Sequence, residues 1–170
     1  KQFYKILEEE DLININPLNN LESFKKIKNL PKSLSEEHLT LLLRKAEDNY
    51  KIVKENEIAK KMKKLRFFTI LEILYPTGMR VSELISLPLS DFIKISDLLQ
   101  IKGKGGVYRH VAFNKKAKHV IELWLACRSS IEMFLNNKYI FPSNNGVGHI
   151  SRQHIYRELS ELSKSLNDEG

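Results

Sequence analysis

The chain reads as an α+β fold, mainly α-helical with a small three-stranded antiparallel sheet. Two observations predict the helices and a third predicts the sheet. Apolar residues recur at helical spacing through residues 39–87, and again from residue 120 onward. Between them, after Pro88, the period switches to short runs rich in β-branched and aromatic residues. With 170 residues the chain is long enough for one domain of ordinary size with a real core.

Residues 1–12 (KQFYKILEEEDL) are helical in pattern, with Phe3, Ile6 and Leu7 on one side. No capping residue precedes them, so the segment reads as the end of a helix that began earlier. Residues 13–34 hold Pro17, Pro31 and several asparagines with little periodicity, which predicts an extended linker. Ser35 is suited to cap the next helix, and Glu36 and Glu37 suit its positive end. That helix carries Leu39, Leu42, Leu43 and Ala46. Lys60, Lys61, Lys63, Lys64 and Arg66 then crowd together. They fit a phosphate-contacting face or a solvated one, and charge runs are usually solvated, which is the expectation here. From residue 65 to 75 the helix turns apolar (Phe67, Phe68, Ile70, Leu71, Leu74) and should be the core helix.

The stretch LEILYPTGMRVSELISLPLSD at 71–91 organises the rest. Pro76 cannot donate its amide and biases Tyr75 away from helix, so a break is expected there. Gly78 permits a tight turn at no steric cost. Arg80 then falls in the first turn of a new helix, with Glu83 three residues on and on the same face. An exposed ion pair in a helix-turn-helix joint would fit equally well.

Residues 92–95, 98–102 and 108–113 are the β-rich runs, separated by Ser96-Asp97 and by a glycine-rich GKGG stretch at 103–106. They predict a three-stranded meander. No acidic residue occurs from Lys102 to His119, against Lys102, Lys104, Arg109, Lys115, Lys116 and Lys118. Glycines on both sides of Lys104 let a hairpin tip approach a backbone closely. Taken alone, Lys104 is an ordinary charged turn, and the loop lacks the spacing of a nucleotide-binding phosphate loop. Residues 117–133 form an amphipathic helix in which Trp124 and Cys127 are core fillers. Ser151 caps and opens a last helix at 153–166, where Arg152 and His154 fit either a DNA-backbone contact or a plain surface helix start.

Bulk composition narrows the classes. The net charge of +7 favours a polyanionic partner. A single cysteine, Cys127, excludes an internal disulfide. The chain has neither an apolar run long enough to span a bilayer nor a signal peptide, so a cytoplasmic setting without membrane contact is expected.

TGMRVSEL, followed by LPLSDF and then IKGKGGVYRHVAF, resembles the amino-terminal half of a tyrosine recombinase (phage integrase family) catalytic domain. Within that family it is most similar to the bacterial Xer group, which resolves chromosome dimers. Lys104 follows Arg80 by 24 residues, as in the family pattern. The resemblance implies DNA strand cleavage and rejoining through a phosphotyrosyl intermediate, with no metal or cofactor. It casts Arg80 and Lys104 as catalytic, Glu83 as the carboxylate that orients the arginine, and Asp91 as a brace. Lys102, Arg109, Lys115, Lys116 and Arg152 become candidate DNA-backbone contacts. The implied partners are a double-stranded recombination site, partner recombinase subunits forming a tetramer on DNA, and a septal DNA translocase.

On the same resemblance, residues 1–16 are the last helix of an N-terminal core-binding domain and 17–34 a linker. Residues 35–170 are then the first part of the catalytic domain. The family's HxLRH-type box and nucleophilic tyrosine belong after the last helix, where this chain holds neither, and Tyr156 lies too early to be the nucleophile. The expectation is an inactive piece of a longer recombinase. The alternatives are a non-catalytic DNA-binding or recombinase-interacting helical module, and an unrelated basic adaptor.

Overall fold

Helix α3 (Ile58–Thr77) is apolar nearly all round in its second half, and a helix of that kind has to be surrounded. In the computed structural model, which describes residues 2–18, 35–93, 98–102 and 106–167, it is. Met62, Leu65, Phe67, Phe68, Ile70 and Ile73 are all buried. Helix α2 (Glu36–Lys51) and helix α6 (Lys115–Ser129) pack on it. The described chain divides into two units, residues 1–33 and 34–170.

The first unit holds helix α1 (Gln2–Glu9), which has no buried residue. Asn16 is its fixed point: its amide donates to Glu8 Oε1 (3.2 Å) and its Oδ1 accepts from Leu18 N (2.9 Å). Residues 19–34, which carry most of the expected linker, lie outside the described residues.

In the second unit, Ser35 caps α2 as expected, its hydroxyl accepting from His38 N at 3.3 Å. Asn114 does the same for α6 through Ala117 N at 2.7 Å, so that helix starts earlier than its apolar period suggested. It also ends earlier, at Ser129, and the apolar pattern continues through a 3₁₀ turn at Glu132–Phe134. Trp124 is fully buried; it stacks on Phe141 (5.8 Å between centroids) and donates from Nε1 to Ile140 O at 2.9 Å. Helix α7 (Arg152–Asn167) closes the unit, capped by Ser151 Oγ accepting from His154 N.

Two local expectations need correction. Pro76 does not break the helix but sits inside the last turn of α3. Only one backbone hydrogen bond is lost there, and the helix stops two residues later at Gly78. Gly78 takes φ 56° and ψ 22° while its N–H donates to Leu74 O at 3.0 Å. Nothing would meet a Cβ at Gly78, so Gly78→Ala should cost only the left-handed backbone penalty, about 1–2 kcal/mol, with Gly78→Asn costing less. Urea unfolding midpoints would measure both.

The sheet is the second correction. Phe92 and Ile93 do not start a strand; they end the short helix α5 (Leu89–Ile93). Pro88 sits just ahead of α5, where a missing amide is harmless, its carbonyl accepts from Asp91 N (3.2 Å), and Asp91 suits the first turn. Phe92 still reaches the core, 6.1 Å from the Phe113 ring, so burial was satisfied without a strand. Among the described residues the sheet has two antiparallel strands, β1 (Leu98–Lys102) and β2 (Tyr108–Ala112). Their register runs from Leu98↔Ala112 to Lys102↔Tyr108.

A buried arginine fixes where α4 (Val81–Ile85) hands over to α5. Arg128 donates from Nη2 to Asn137 O (2.5 Å) and Tyr139 O (3.2 Å), pinning that loop. The loop in turn pairs with the α4–α5 connection through Leu89 N to Lys138 O (2.7 Å) and Ile140 N to Leu87 O (3.2 Å).

Candidate active site

The reversal at Gly78 delivers Met79 to the core and Arg80 to the surface. Arg80 is the N-cap residue of α4, one position before the first turn, with extended backbone (φ −71°, ψ 144°). Its free amide is one of the orphan donors at a helix start, and Glu83 Oε2 accepts it at 2.9 Å. The other oxygen, Oε1, accepts from Arg80 Nη1 at 2.7 Å. One carboxylate therefore holds both the backbone and the side chain of the arginine. The Glu83 side chain is only 13% exposed and that of Arg80 is 62% exposed, so the guanidinium is held from beneath and offered outward. Hydrogen bonds from the Arg80 amide, then from its guanidinium, hold the Glu83 carboxyl below the ordinary glutamate value. The clamp therefore persists at neutral pH and loosens as pH falls through that lowered value.

A third group joins from the hairpin. Arg109 on β2 donates from Nη2 to Glu83 Oε2 at 2.9 Å. Arg80, Glu83, Asp91, Gln100 and Tyr108 line one open cleft of about 590 Å³ between α4, α5 and the strands. Of the side chains lining it, Arg80 is a cation and Glu83 and Asp91 are carboxylates, so an anionic group entering the cleft would be met through Arg80. Asp91 shares the cleft, and its carboxylate accepts from Ser90 Oγ at 3.3 Å, with no hydrogen bond to Arg80 among the described residues.

The other sequence-derived candidates scatter. Lys104 lies outside the described residues; Lys102 ends β1 beside Tyr108. Lys115 is exposed at the start of α6. Lys116 is not free to meet DNA: its ammonium sits 3.0 Å from Glu47 Oε2, 2.7 Å from Glu72 Oε1 and 5.4 Å over the Phe68 ring. Arg152 is exposed and lines a separate apolar groove of about 430 Å³ with Val81, Tyr156 and Leu159.

Some functional-looking groups escaped the sequence reading. Arg66, counted in the solvated charge run, is fully buried and donates to Pro142 O (2.8 Å) and Asn144 Oδ1 (2.6 Å). His154 and Arg157 have H-x-x-R spacing within α7, but Glu158 follows where the family box has histidine. The Arg157 guanidinium lies 3.0 Å from its own His154 Nδ1, and neither residue lines the Arg80 cleft. No helix among the described residues is long and apolar enough to cross a membrane.

Comparison with known proteins gives the family and the fold. The phage integrase family profile matches residues 31–170. The tyrosine recombinase XerD of Rhizobium meliloti (strain 1021) is 37% identical over 163 residues, covering 96% of this chain and 50% of that protein. XerC of Erythrobacter litoralis (strain HTCC2594) is 31% identical, covering 96% and 49%. The chain thus spans about half the length of the curated relatives it matches. Among solved structures, the XerA recombinase aligns with a TM-score of 0.59 at 25% identity, over 79% of this chain and 43% of that one. XerH bound to a palindromic difH substrate, in a post-cleavage complex, gives a TM-score of 0.63 at 22% identity, over 85% and 39%. With the profile matching most of its length and the TGMRVSEL joint built as described, the chain belongs to the phage integrase family.

Proposed function

We propose that this chain supplies the phosphate-gripping half of a tyrosine site-specific recombinase, of the kind that resolves chromosome dimers. Residues 1–16 are the end of a core-binding domain, 17–34 a linker, and 35–170 the first part of the catalytic domain. The observation that carries the reading is Arg80, clamped at amide and guanidinium by the shielded Glu83 at the rim of an open cleft. Cleaving a phosphodiester builds charge on a pentacoordinate phosphorus, and donors already in place stabilise it best. A planar guanidinium meets two phosphate oxygens and keeps its proton. Lys104 protonates the departing 5′-oxygen from the hairpin. The substrate is a double-stranded recombination site, engaged together with partner recombinase subunits.

None of the six tyrosines in this chain is proposed as the nucleophile, because the HxLRH-type box that precedes it in the family is not among these residues. Strand cleavage is proposed for an enzyme in which these residues are joined to that box. A nicked suicide duplex tests this. The longer enzyme should form a covalent adduct whose digested peptide maps beyond Gly170, while residues 1–170 alone should bind duplex and leave none. An adduct on Tyr156 would overturn the assignment.

Duplex binding by residues 1–170 should weaken steeply with salt through counterion release. Lys115→Ala and Arg152→Ala should each flatten the log K against log salt slope by about 1 and weaken all sequences alike. Fluorescence anisotropy between 50 and 200 mM salt, the range over which such contacts are lost, reads this directly. Unchanged slopes would make those cations mere surface charge. Lys116 is unsuitable for the test because it faces two carboxylates.

A further inference from the structure

The cleft that holds Arg80 is far larger than one phosphate needs. Its volume of about 590 Å³ falls in the range that encloses whole small molecules. Its charge, by contrast, suffices for one phosphate only. Arg80 is the cation among the described lining residues, against the carboxylates of Glu83 and Asp91. Glu83 is engaged by two arginines, Arg80 and Arg109, while Asp91 accepts a neutral hydroxyl from Ser90. A second phosphate entering beside Asp91 would meet a like charge. The strands line the rest of the cleft with neutral polar groups. On β1, Leu99 and Ile101 are buried, so Gln100 between them is turned to the open face. Tyr108, at the start of β2, is exposed and lines the same cleft. Gln100 pairs with His110 and Lys102 with Tyr108, which puts Gln100 and Tyr108 one diagonal step apart on one face. Tyr108 offers a flat apolar ring with a hydroxyl tip, and Gln100 an amide that both donates and accepts. A matching occupant is uncharged, partly apolar and carries acceptor oxygens. The sugar of a nucleotide has that chemistry and a phosphate does not.

We propose that Gln100 and Tyr108 hold the deoxyribose joined to the phosphate that Arg80 grips, the tyrosine ring packing on the sugar and the amide bonding to its oxygen. The proposal rests on the recombinase reading above. Half or more of protein–DNA hydrogen bonds go to phosphate and sugar, and neutral side chains such as Tyr and Gln make many of them. Contacts of this kind carry no sequence information directly; they fix where the backbone lies. A guanidinium on α4 and a ring on β2 together set the register of the strand in the cleft. A reacting group held about 1 Å from its proper place loses much of its rate.

The test is single-turnover cleavage by the full-length enzyme on three duplexes that share the scissile phosphate. One is ordinary. In the others a propanediol spacer replaces the nucleoside on one or the other side of that phosphate, keeping every phosphate charge. On the ordinary duplex Tyr108→Ala should be about tenfold slower than wild type, a misplacement effect. Gln100→Ala should be about fivefold slower, the weight of one neutral hydrogen bond. On one of the spacer duplexes both variants should match wild type, because the sugar they hold is gone, and the side on which this happens identifies it. Arg80→Ala should keep its deficit on all three. Tyr108→Phe, which retains the ring, should stay closer to wild type than Tyr108→Ala. Should Tyr108→Ala fail to fold, Gln100→Ala at its exposed position carries the comparison. Wild-type rates for both alanine variants on the ordinary duplex overturn the proposal, and so does a deficit of equal size on all three. In either case Arg80→Ala would still be slow. A fully active Arg80→Ala would instead bring down the recombinase reading itself, a visibly different result.

Discussion

Arg80→Ala should slow DNA cleavage by the full-length enzyme about a hundredfold, since one charge-assisted contact made in the transition state is worth about 3 kcal/mol. Arg80→Lys should fail nearly as badly, because an ammonium is a point charge and cannot reproduce the planar fork. Stability should hardly move. The Arg80 side chain is 62% exposed, and an exposed ion pair contributes about 0–1 kcal/mol. Glu83→Gln should cost less activity than Arg80→Ala, because it disturbs the aim of the arginine without removing it. A purely structural pair would behave in the opposite way, lowering the melting temperature and sparing the activity of whatever stays folded. Single-turnover rates and thermal melts on the same preparations separate the two.

Lys116→Met should have the largest effect on the fold. Glu72 lies on the core helix with its side chain only 3% exposed, and Lys116 is its counter-ion at 2.7 Å. Breaking a buried pair from one side leaves a charge with no partner, which costs about 3–5 kcal/mol. Lys116 is itself half exposed and water can reach its end of the pair, so about 2–3 kcal/mol is the expectation. For a chain of this size that is about 5–10 °C in Tm. Glu72→Gln added to Lys116→Met should restore much of the loss by removing the orphaned charge.

The pH dependence of this triad has a definite sign. Burial pulls the Lys116 ammonium down, but the hydrogen bonds of Glu72 and Glu47 outweigh it, and the net shift is upward. A raised lysine contributes stability at and below its ordinary range and loses it as pH climbs through the folded value. Glu47 is lowered, first by Lys51 and then by Lys116. Its share persists above the ordinary glutamate range and is lost in acid. Stability from the triad should be flat around neutrality and decline at both extremes. Melts of wild type and Lys116→Met across pH would show the two curves converging in strong base.

What could be read ahead of the structure was local, and what could not was set by tertiary partners. Arg80 and Glu83 are three residues apart beside a glycine turn, and spacing alone placed them on one face. Glycine 78 marked the end of α3 more faithfully than Pro76, because a proline in a last turn forfeits a single hydrogen bond whereas a left-handed cap ends the helix. Phe92 and Ile93 are good strand residues, yet Pro88 and Asp91 favour a helix start. The core contact of Phe92 with Phe113 is available to either conformation, so composition could not decide. Lys116 and Lys115 look equivalent in sequence. They differ because the faces of α2 and α3 bring Glu47 and Glu72, at separations of 69 and 44 residues, under Lys116. Arg66 differs from its lysine neighbours for the same reason, its acceptors coming from Pro142 and Asn144. The Glu83–Arg109 link spans 26 residues and depends on how the hairpin packs on α4, which no periodicity encodes.

The central claim is that the Arg80 guanidinium, aimed by Glu83, neutralises charge on the scissile phosphate. A duplex with a methylphosphonate at that one position removes the charge while keeping the shape. Wild type and Arg80→Ala should differ about a hundredfold on the ordinary phosphate and by no more than a few-fold on the neutral one. The same hundredfold gap on the methylphosphonate would mean that Arg80 serves the enzyme in some way other than gripping that phosphate.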